Sequence, residues 1–265
     1  MPDWISIVIL GIIEGITEFL PISSTGHLLI AEHWLPRQTD LFNVVIQTGA
    51  VLAVIPLFHT RFHQFIYRWR EPATRDYLAK LILAFVITGT VGYIMEKKHF
   101  KLPEELAPVA WALLIGGIVF IAVETMLRGK KLGTDVTWAI AVAVGIGQLI
   151  AAAFPGASRS GTTIMIALML GLSRPAATEF SFLVSIPTML AAGGYKMFKS
   201  LHHPAIDAPH ENWSMVLLAT VVAAVVSFIA VKWLLRYVQT HTFIAFGVYR
   251  IVVGVAILLF LVGRH

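Results

Sequence analysis

Pro21-Ile22-Ser23-Ser24-Thr25-Gly26-His27 and Pro155-Gly156-Ala157-Ser158-Arg159-Ser160-Gly161-Thr162-Thr163 are two polar stretches in otherwise apolar sequence. Each follows a helix-like apolar run and leads straight into another. In a bilayer, unsatisfied backbone groups and charged side chains are expensive. They persist mainly where they line a protected cavity. Two such breaks, in matching positions of two halves, point to one shared site.

Composition sets the class. Apolar residues make up 57% of the chain and charged residues 13%, against ~25% charged in an average soluble domain. Mean hydropathy is +0.80. These values describe an integral membrane protein. A charge of +5 and a pI of ≈ 9.6 would suggest nucleic acid in a soluble protein. Here they read as basic loops facing anionic lipid and the cytoplasm, with no nucleic-acid partner. There is no cysteine, which excludes disulfides and thiolate metal sites. The N-terminus lacks the basic n-region of a cleaved signal peptide.

Six stretches approach the ~20 apolar residues that a crossing needs: 41–58, 78–95, 107–127, 178–198, 214–235 and 242–262. Regions 4–35 and 136–172 are broken instead, each with two short apolar pieces around a polar tip. They read as re-entrant helix–loop–helix hairpins, in preference to pairs of short full spans. The expected fold is an all-α polytopic membrane protein, a single domain over 1–265. It has six transmembrane helices plus two re-entrant hairpins.

Arg61, Arg68, Arg70 and Arg75 follow the first span, Arg128, Lys130 and Lys131 the third, and Lys232 and Arg236 end the fifth. Placing them in the cytoplasm puts the termini and the loops at 97–108 and 199–213 outside. Lys97, Lys98 and Lys101 then lie outside too. One hairpin and three spans per half make 131–265 an inverted repeat of 1–130, with tips approaching from opposite faces. Internal matches agree: residues 23–27 with 158–162, Gly15-Ile16-Thr17-Glu18 with Gly145-Ile146-Gly147-Gln148, and Phe42-Asn43-Val44-Val45-Ile46 with Phe180-Ser181-Phe182-Leu183-Val184.

The chemistry sits at the tips. Glu14 and Glu18 share one helical face. The pair can accept a proton or hold a divalent cation through oxygen ligands. Ser23, Ser24, Thr25 and Gly26 open one helix, and Ser158, Ser160, Gly161, Thr162 and Thr163 open another. Such N-termini favour an anion, so two aimed at one cavity make a phosphate cradle. Arg159 adds a forked cation suited to phosphate. His27, about one turn after Ser24, can act as base, nucleophile or acid. Arg250 lies inside a span and reads either as a second anion contact or as a partner for a buried glutamate.

Glu14-x-x-x-Glu18, the stretch 21–27 and the stretch 155–163 together resemble the signatures of the bacterial undecaprenyl-diphosphate phosphatases, the bacitracin-resistance family. The resemblance covers essentially the whole chain, and that family's fold has six spans and two re-entrant hairpins. It implies hydrolysis of undecaprenyl diphosphate to undecaprenyl phosphate and phosphate, which recycles the lipid carrier for cell-wall synthesis. It also implies a magnesium or calcium cofactor, a polyprenyl diphosphate partner among membrane lipids, and a place in the bacterial inner membrane. The site would open toward the periplasm. Glu18, Ser24, His27 and Arg159 would form the core, supported by Glu14, Ser158, Ser160 and Thr163. Asn43 departs from the family, whose members carry glutamate there. A homodimer is compatible with the sequence. Two other readings stand beside this one: a lipid-phosphate flippase on the same scaffold, and an intramembrane serine hydrolase using Ser24 and His27.

Overall fold

The computed structural model describes residues 2–97, 105–202 and 211–263. Lys98 and Lys101, and most of the two loops expected to face outside, lie beyond the described residues. Those described form helices and no strand. The first hairpin is α1 (Asp3–Thr17) and α2 (Ser24–Ala31). Next come α3 (Asp40–Val54), a 3₁₀ turn (Ile55–Phe58) and α4 (His59–Tyr67). Then follow α5 (Pro72–Lys97) and α6 (Leu106–Met126). The second half repeats the order: α7 (Trp138–Ala153), α8 (Arg159–Met169), α9 (Arg174–His202), α10 (Trp213–Tyr237) and α11 (Ile244–Val262).

Six helical segments are long and apolar enough to cross a membrane, matching the expected spans to within a turn or two at most ends. The difference is at the first, where helix continues through the 3₁₀ turn to Tyr67. Pro56 at the start of that turn tolerates it, because its missing N–H falls where a helix start leaves one unbonded.

The hairpin arms are too short to span. α7 has 16 residues and α8 has 11, about 24 and 16 Å against a hydrocarbon core of ~30 Å. The chain before α7 and the chain after α8 also meet. Gly133 N–H donates to Gly171 O at 2.9 Å, and Ser173 N–H donates to Gly133 O at 2.7 Å. A hairpin whose two ends are tied side by side is compatible with re-entry from one face.

Packing is compatible with two equivalent halves. α1 lies on α10 and α7 on α5; α3 lies on α10 and α9 on α5; α6 pairs with α11 and α3 with α9. Exchanging the halves maps each of these contacts onto another or onto itself, as an inverted repeat does. Glycines set the approach. A Cβ on Gly15 would lie 2.7 Å from Val226 Cβ, and one on Gly145 would lie 3.0 Å from Ala84 O. In the same two places a hydroxyl bonds the glycine carbonyl: Ser227 to Gly15 O and Thr88 to Gly145 O, both at 3.0 Å.

Ion pairs brace the basic end. Buried Glu124 of α6 accepts a forked pair from Arg174 of α9 and the Phe243 N–H ahead of α11, the latter at 2.8 Å. Arg61 bonds Glu179 of α9 at 2.7 Å and lies over the Tyr77 ring. Arg68, Arg70, Arg75, Arg128, Lys130, Lys131, Lys232 and Arg236 are exposed.

Gly15→Ala should lower stability in detergent by ~1–3 kcal/mol, since the added methyl must push Val226 and the Ala223 carbonyl. Gly89→Ala meets nothing within 4 Å and should be neutral or stabilising by about 0.5–1 kcal/mol. Thermal unfolding of the two variants checks the contrast.

Candidate active site

Ser23 (φ 75°) and Ser158 (φ 66°) are the non-glycine residues with positive φ among those described. Such backbone costs ~1–3 kcal/mol and persists where surroundings over-determine it. Each caps the helix after it: Ser23 Oγ accepts from Gly26 N–H at 3.4 Å, and Ser158 Oγ from Gly161 N–H at 3.2 Å. The glycines keep the caps clear. A Cβ on Gly161 would lie 3.2 Å from Ser158 Oγ and 3.0 Å from the Phe120 ring. The two tips are thus one device built twice.

The residues just inside the two caps, Ser24 and Arg159, converge on one carboxylate. Ser24 Oγ donates to Glu18 Oε2 at 2.6 Å, and Arg159 Nη2 donates to Glu18 Oε1. Glu18 is held in place because helical bonding runs past Thr17: the Glu18 N–H still bonds Glu14 O. Its side chain is 4% exposed. These three groups line a cavity of ≈ 230 Å³, together with Ser23, Thr25, Ser158, Gln47, Gln148 and Thr188.

His27 stands elsewhere. Its Nδ1 lies 2.7 Å from Ser23 O and its Nε2 lies 2.7 Å from Tyr249 Oη. A carbonyl only accepts, so Nδ1 carries the proton and Nε2 accepts from the tyrosine. Both nitrogens are engaged away from Ser24, and His27 does not line the cavity. Its partner in the other tip, Thr162, likewise bonds backward, through Oγ1 to Ala157 O at 3.4 Å.

Residues 7–256 match the family Bacitracin resistance protein BacA. The chain belongs to this family. It is 52% identical to the Undecaprenyl-diphosphatase of Rhizobium leguminosarum bv. trifolii, over 97% of this chain and 96% of that protein. It is 50% identical to the Undecaprenyl-diphosphatase of Xanthomonas euvesicatoria pv. vesicatoria, over 98% of each. It is therefore a multi-pass membrane protein of the BacA family.

The remaining expected residues of this BacA-family site lie behind the cavity wall. Ser160 Oγ donates to Leu20 O at 3.2 Å, tying the second tip to the first. Thr163 is fully buried and bonds back to Arg159 O at 2.9 Å. Gly26 and Gly161 supply clearance. Glu14 is 1% exposed, and neither of its carboxylate oxygens has a hydrogen-bond partner among the described residues. The buried Glu14 carboxylate, one turn from Glu18, offers hard oxygen donors of the kind magnesium and calcium take, and no cluster of three or more acidic or histidine side chains forms there among the described residues. Asn43 hydrogen-bonds Glu32 instead of lining the cavity.

Arg250 pairs with no glutamate among the described residues. It is fully buried and bonds four carbonyls: Pro21 O at 3.2 Å, and Ala112, Gly156 and Ala157 O at 3.1 Å. Its guanidinium carbon lies 5.3 Å from the centre of the Phe120 ring. The reason is backbone supply. Both tips break helical bonding and leave carbonyls without an intrahelical partner. A planar fork with five donors satisfies several at once.

Gln47, Gln148 and Thr188 line the cavity but were not singled out from sequence. Gln148 carried a signal, since it matches Glu18 in the internal repeat. Its Nε2 donates to Thr88 Oγ1 at 2.9 Å.

Arg250→Met should strand buried carbonyls on both tips, at ~1–3 kcal/mol each. Amide hydrogen exchange should rise in 21–27 and 155–161 together, with a lowered unfolding temperature.

Proposed function

We propose that this protein hydrolyses undecaprenyl diphosphate to undecaprenyl phosphate and phosphate, regenerating the lipid carrier for cell-wall synthesis. The observation that carries this reading is the shared Glu18 carboxylate. It touches a serine hydroxyl on one oxygen and an arginine on the other, beside two capped helix N-termini. The names of the half-identical relatives supply the substrate.

Ser24 Oγ attacks the terminal phosphorus while Glu18 takes its proton along the existing hydrogen bond. The bond between that phosphorus and the bridging oxygen breaks, and undecaprenyl phosphate leaves. Water then attacks the phosphoserine and releases phosphate and Ser24. Arg159 spends one N–H on Glu18, and its other donors are suited to the phosphoryl oxygens. N–H groups at the starts of α2 and α8 favour the same charge. His27 holds the first tip in shape, with its imidazole bound to Ser23 O and Tyr249. Glu14 and Glu18 would hold magnesium or calcium, whose charge would neutralise the transferred phosphoryl group.

The exposed basic residues of the α4–α5, α6–α7 and α10–α11 connections support an orientation in a bacterial inner membrane with these connections in the cytoplasm. The substrate cavity then opens toward the periplasmic side.

Phosphate release by purified protein in detergent tests the activity. Ser24→Ala and Arg159→Lys should each lose roughly 10²–10³-fold or more in kcat while unfolding normally, because lysine keeps the charge but not the fork. Rapid quenching with labelled diphosphate should trap an acid-stable phosphoserine that is absent from Ser24→Ala. An acid-labile adduct surviving in Ser24→Ala would move the nucleophile to His27.

Orientation has its own test, since the chain has no cysteine. In intact cells an impermeant thiol reagent should label Glu105→Cys and spare Arg68→Cys.

A further inference from the structure

A second cavity of ≈ 250 Å³ lies between α3 and α10, lined by Ala53, Ala224, Val225, Phe228 and Ile229. It shares no lining residue with the cavity of Glu18 and Arg159. All five side chains are hydrocarbon, and Val225 and Ile229 are exposed on the outer surface. The slot has a local origin. One turn before Ala53 the two helices touch so closely that a Cβ on Gly49 would overlap Thr220 Cγ2. Just after Ala53, α3 gives way to the 3₁₀ turn Ile55–Phe58. A 3₁₀ turn winds more tightly than an α-helix, so its side chains lose register with the grooves of α10.

The slot runs on into charge. Phe228, Lys232 and Arg236 are spaced four apart and stand one above another on one face of α10. The Lys232 ammonium lies 5.8 Å from the centre of the Phe228 ring. Neither Lys232 nor Arg236 is in an ion pair among the described residues. Depth sorts these groups. The α10 span runs Trp213–Tyr237, so its middle is residue 225. Ile229, Lys232 and Arg236 lie about 6, 10.5 and 16.5 Å beyond it along the axis, against ~15 Å for half the hydrocarbon thickness. The slot therefore sits at the acyl-chain depth of one leaflet, Lys232 near its edge and Arg236 at headgroup level. Trp233, exposed beside Lys232, is a residue type that settles at that level.

We infer that this slot binds one anionic diacyl phospholipid, with an acyl chain against Val225, Phe228 and Ile229 and the phosphate on Lys232 and Arg236. The inference goes beyond the diphosphatase reading and does not depend on it. A lysine at this depth without a carboxylate is costly, and the face of Phe228 offsets only part of the cost. A lipid phosphate supplies the missing counter-charge. The flexible lysine stem reaches it from the slot, and the Arg236 fork can take two of its oxygens. A zwitterionic headgroup brings a cation of its own to the same place, which an anionic one does not. A second copy meeting this face about a two-fold axis would likewise bring Lys232 and Arg236 against their own kind.

Native mass spectrometry of the purified protein measures retention of added dioleoyl phosphatidylglycerol against dioleoyl phosphatidylcholine. The unsubstituted protein should prefer the first, and no preference overturns the site. Lys232→Gln combined with Arg236→Gln should cut the preference about tenfold. Arg128→Gln combined with Lys130→Gln removes the same charge from exposed positions elsewhere at the basic end and should change it by less than about twofold. Equal loss in the two double variants overturns the site, since that marks diffuse attraction to basic loops. Val225→Trp fills the slot from an exposed position, so core packing is spared. It should lower phosphatidylglycerol retention several-fold, and unchanged retention overturns the slot.

Thermal unfolding in detergent gives a second readout. Added phosphatidylglycerol should raise the unfolding temperature of the unsubstituted protein and of the Arg128/Lys130 variant, but not that of the Lys232/Arg236 variant. An equal rise in all three overturns the site. Stronger retention of undecaprenyl phosphate than of phosphatidylglycerol through Lys232 and Arg236 overturns the diacyl occupant. A dimer that Val225→Trp dissociates overturns it in favour of a second copy of the chain.

Discussion

A fully buried guanidinium with no carboxylate partner among the described residues bonds both tips of this molecule. Removing Arg250 from water carries a penalty of several kcal/mol. The charge is met instead by four carbonyl dipoles and the face of Phe120. Those carbonyls have the opposite problem: they belong largely to interrupted helices and are left without an intrahelical partner. Each side solves the other's deficit. Gly116 has no side chain for a physical reason, since a Cβ there would overlap the guanidinium. Pro21 belongs to the first tip and Gly156 and Ala157 to the second, so one side chain fixes both relative to α11. The distance from Ser24 to Arg159 through Glu18 depends on that fixation.

The two halves share one packing frame and differ in the side chains they bring to the cavity. Ser24 and Arg159 occupy the same place after equivalent caps, yet one is a nucleophile type and the other a cation. Glu18 and Gln148 occupy equivalent places on the incoming arms, yet only one can take a proton. His27 and Thr162 both bond backward to their own tips. A symmetric pair of tips would cradle an anion without reacting with it. The first half supplies the hydroxyl and the carboxylate and the second the guanidinium, and the three meet at one cavity.

Much of this was legible in residue order. Burial periodicity and length fix six spanning helices, because lipid leaves a chain segment few alternatives to a helix. The tips were legible because polar residues in apolar surroundings need a reason. Glu18, Ser24 and Arg159 were chosen on that ground, and the fold brings all three to one cavity. Sequence reasoning did not supply partners that are remote along the chain. It offered Arg250 an anion or a glutamate, because backbone carbonyls carry no letter in a sequence. It set His27 beside Ser24 from their spacing, whereas the imidazole turns to a tyrosine 222 positions away.

The sequence alone determined the class, the six spanning segments, the two breaks and the residue types at them, since these follow from local hydrophobicity and local chain stiffness. Tertiary structure decided which oxygen of Glu18 meets which tip, across 141 positions for Arg159. It decided that Glu14 is buried one turn from Glu18 and that α9 packs on α8. Such outcomes depend on how packed helices share a fixed set of hydrogen-bonding groups. No single helix carries that information, because each group's best partner is defined only when all the helices are in place.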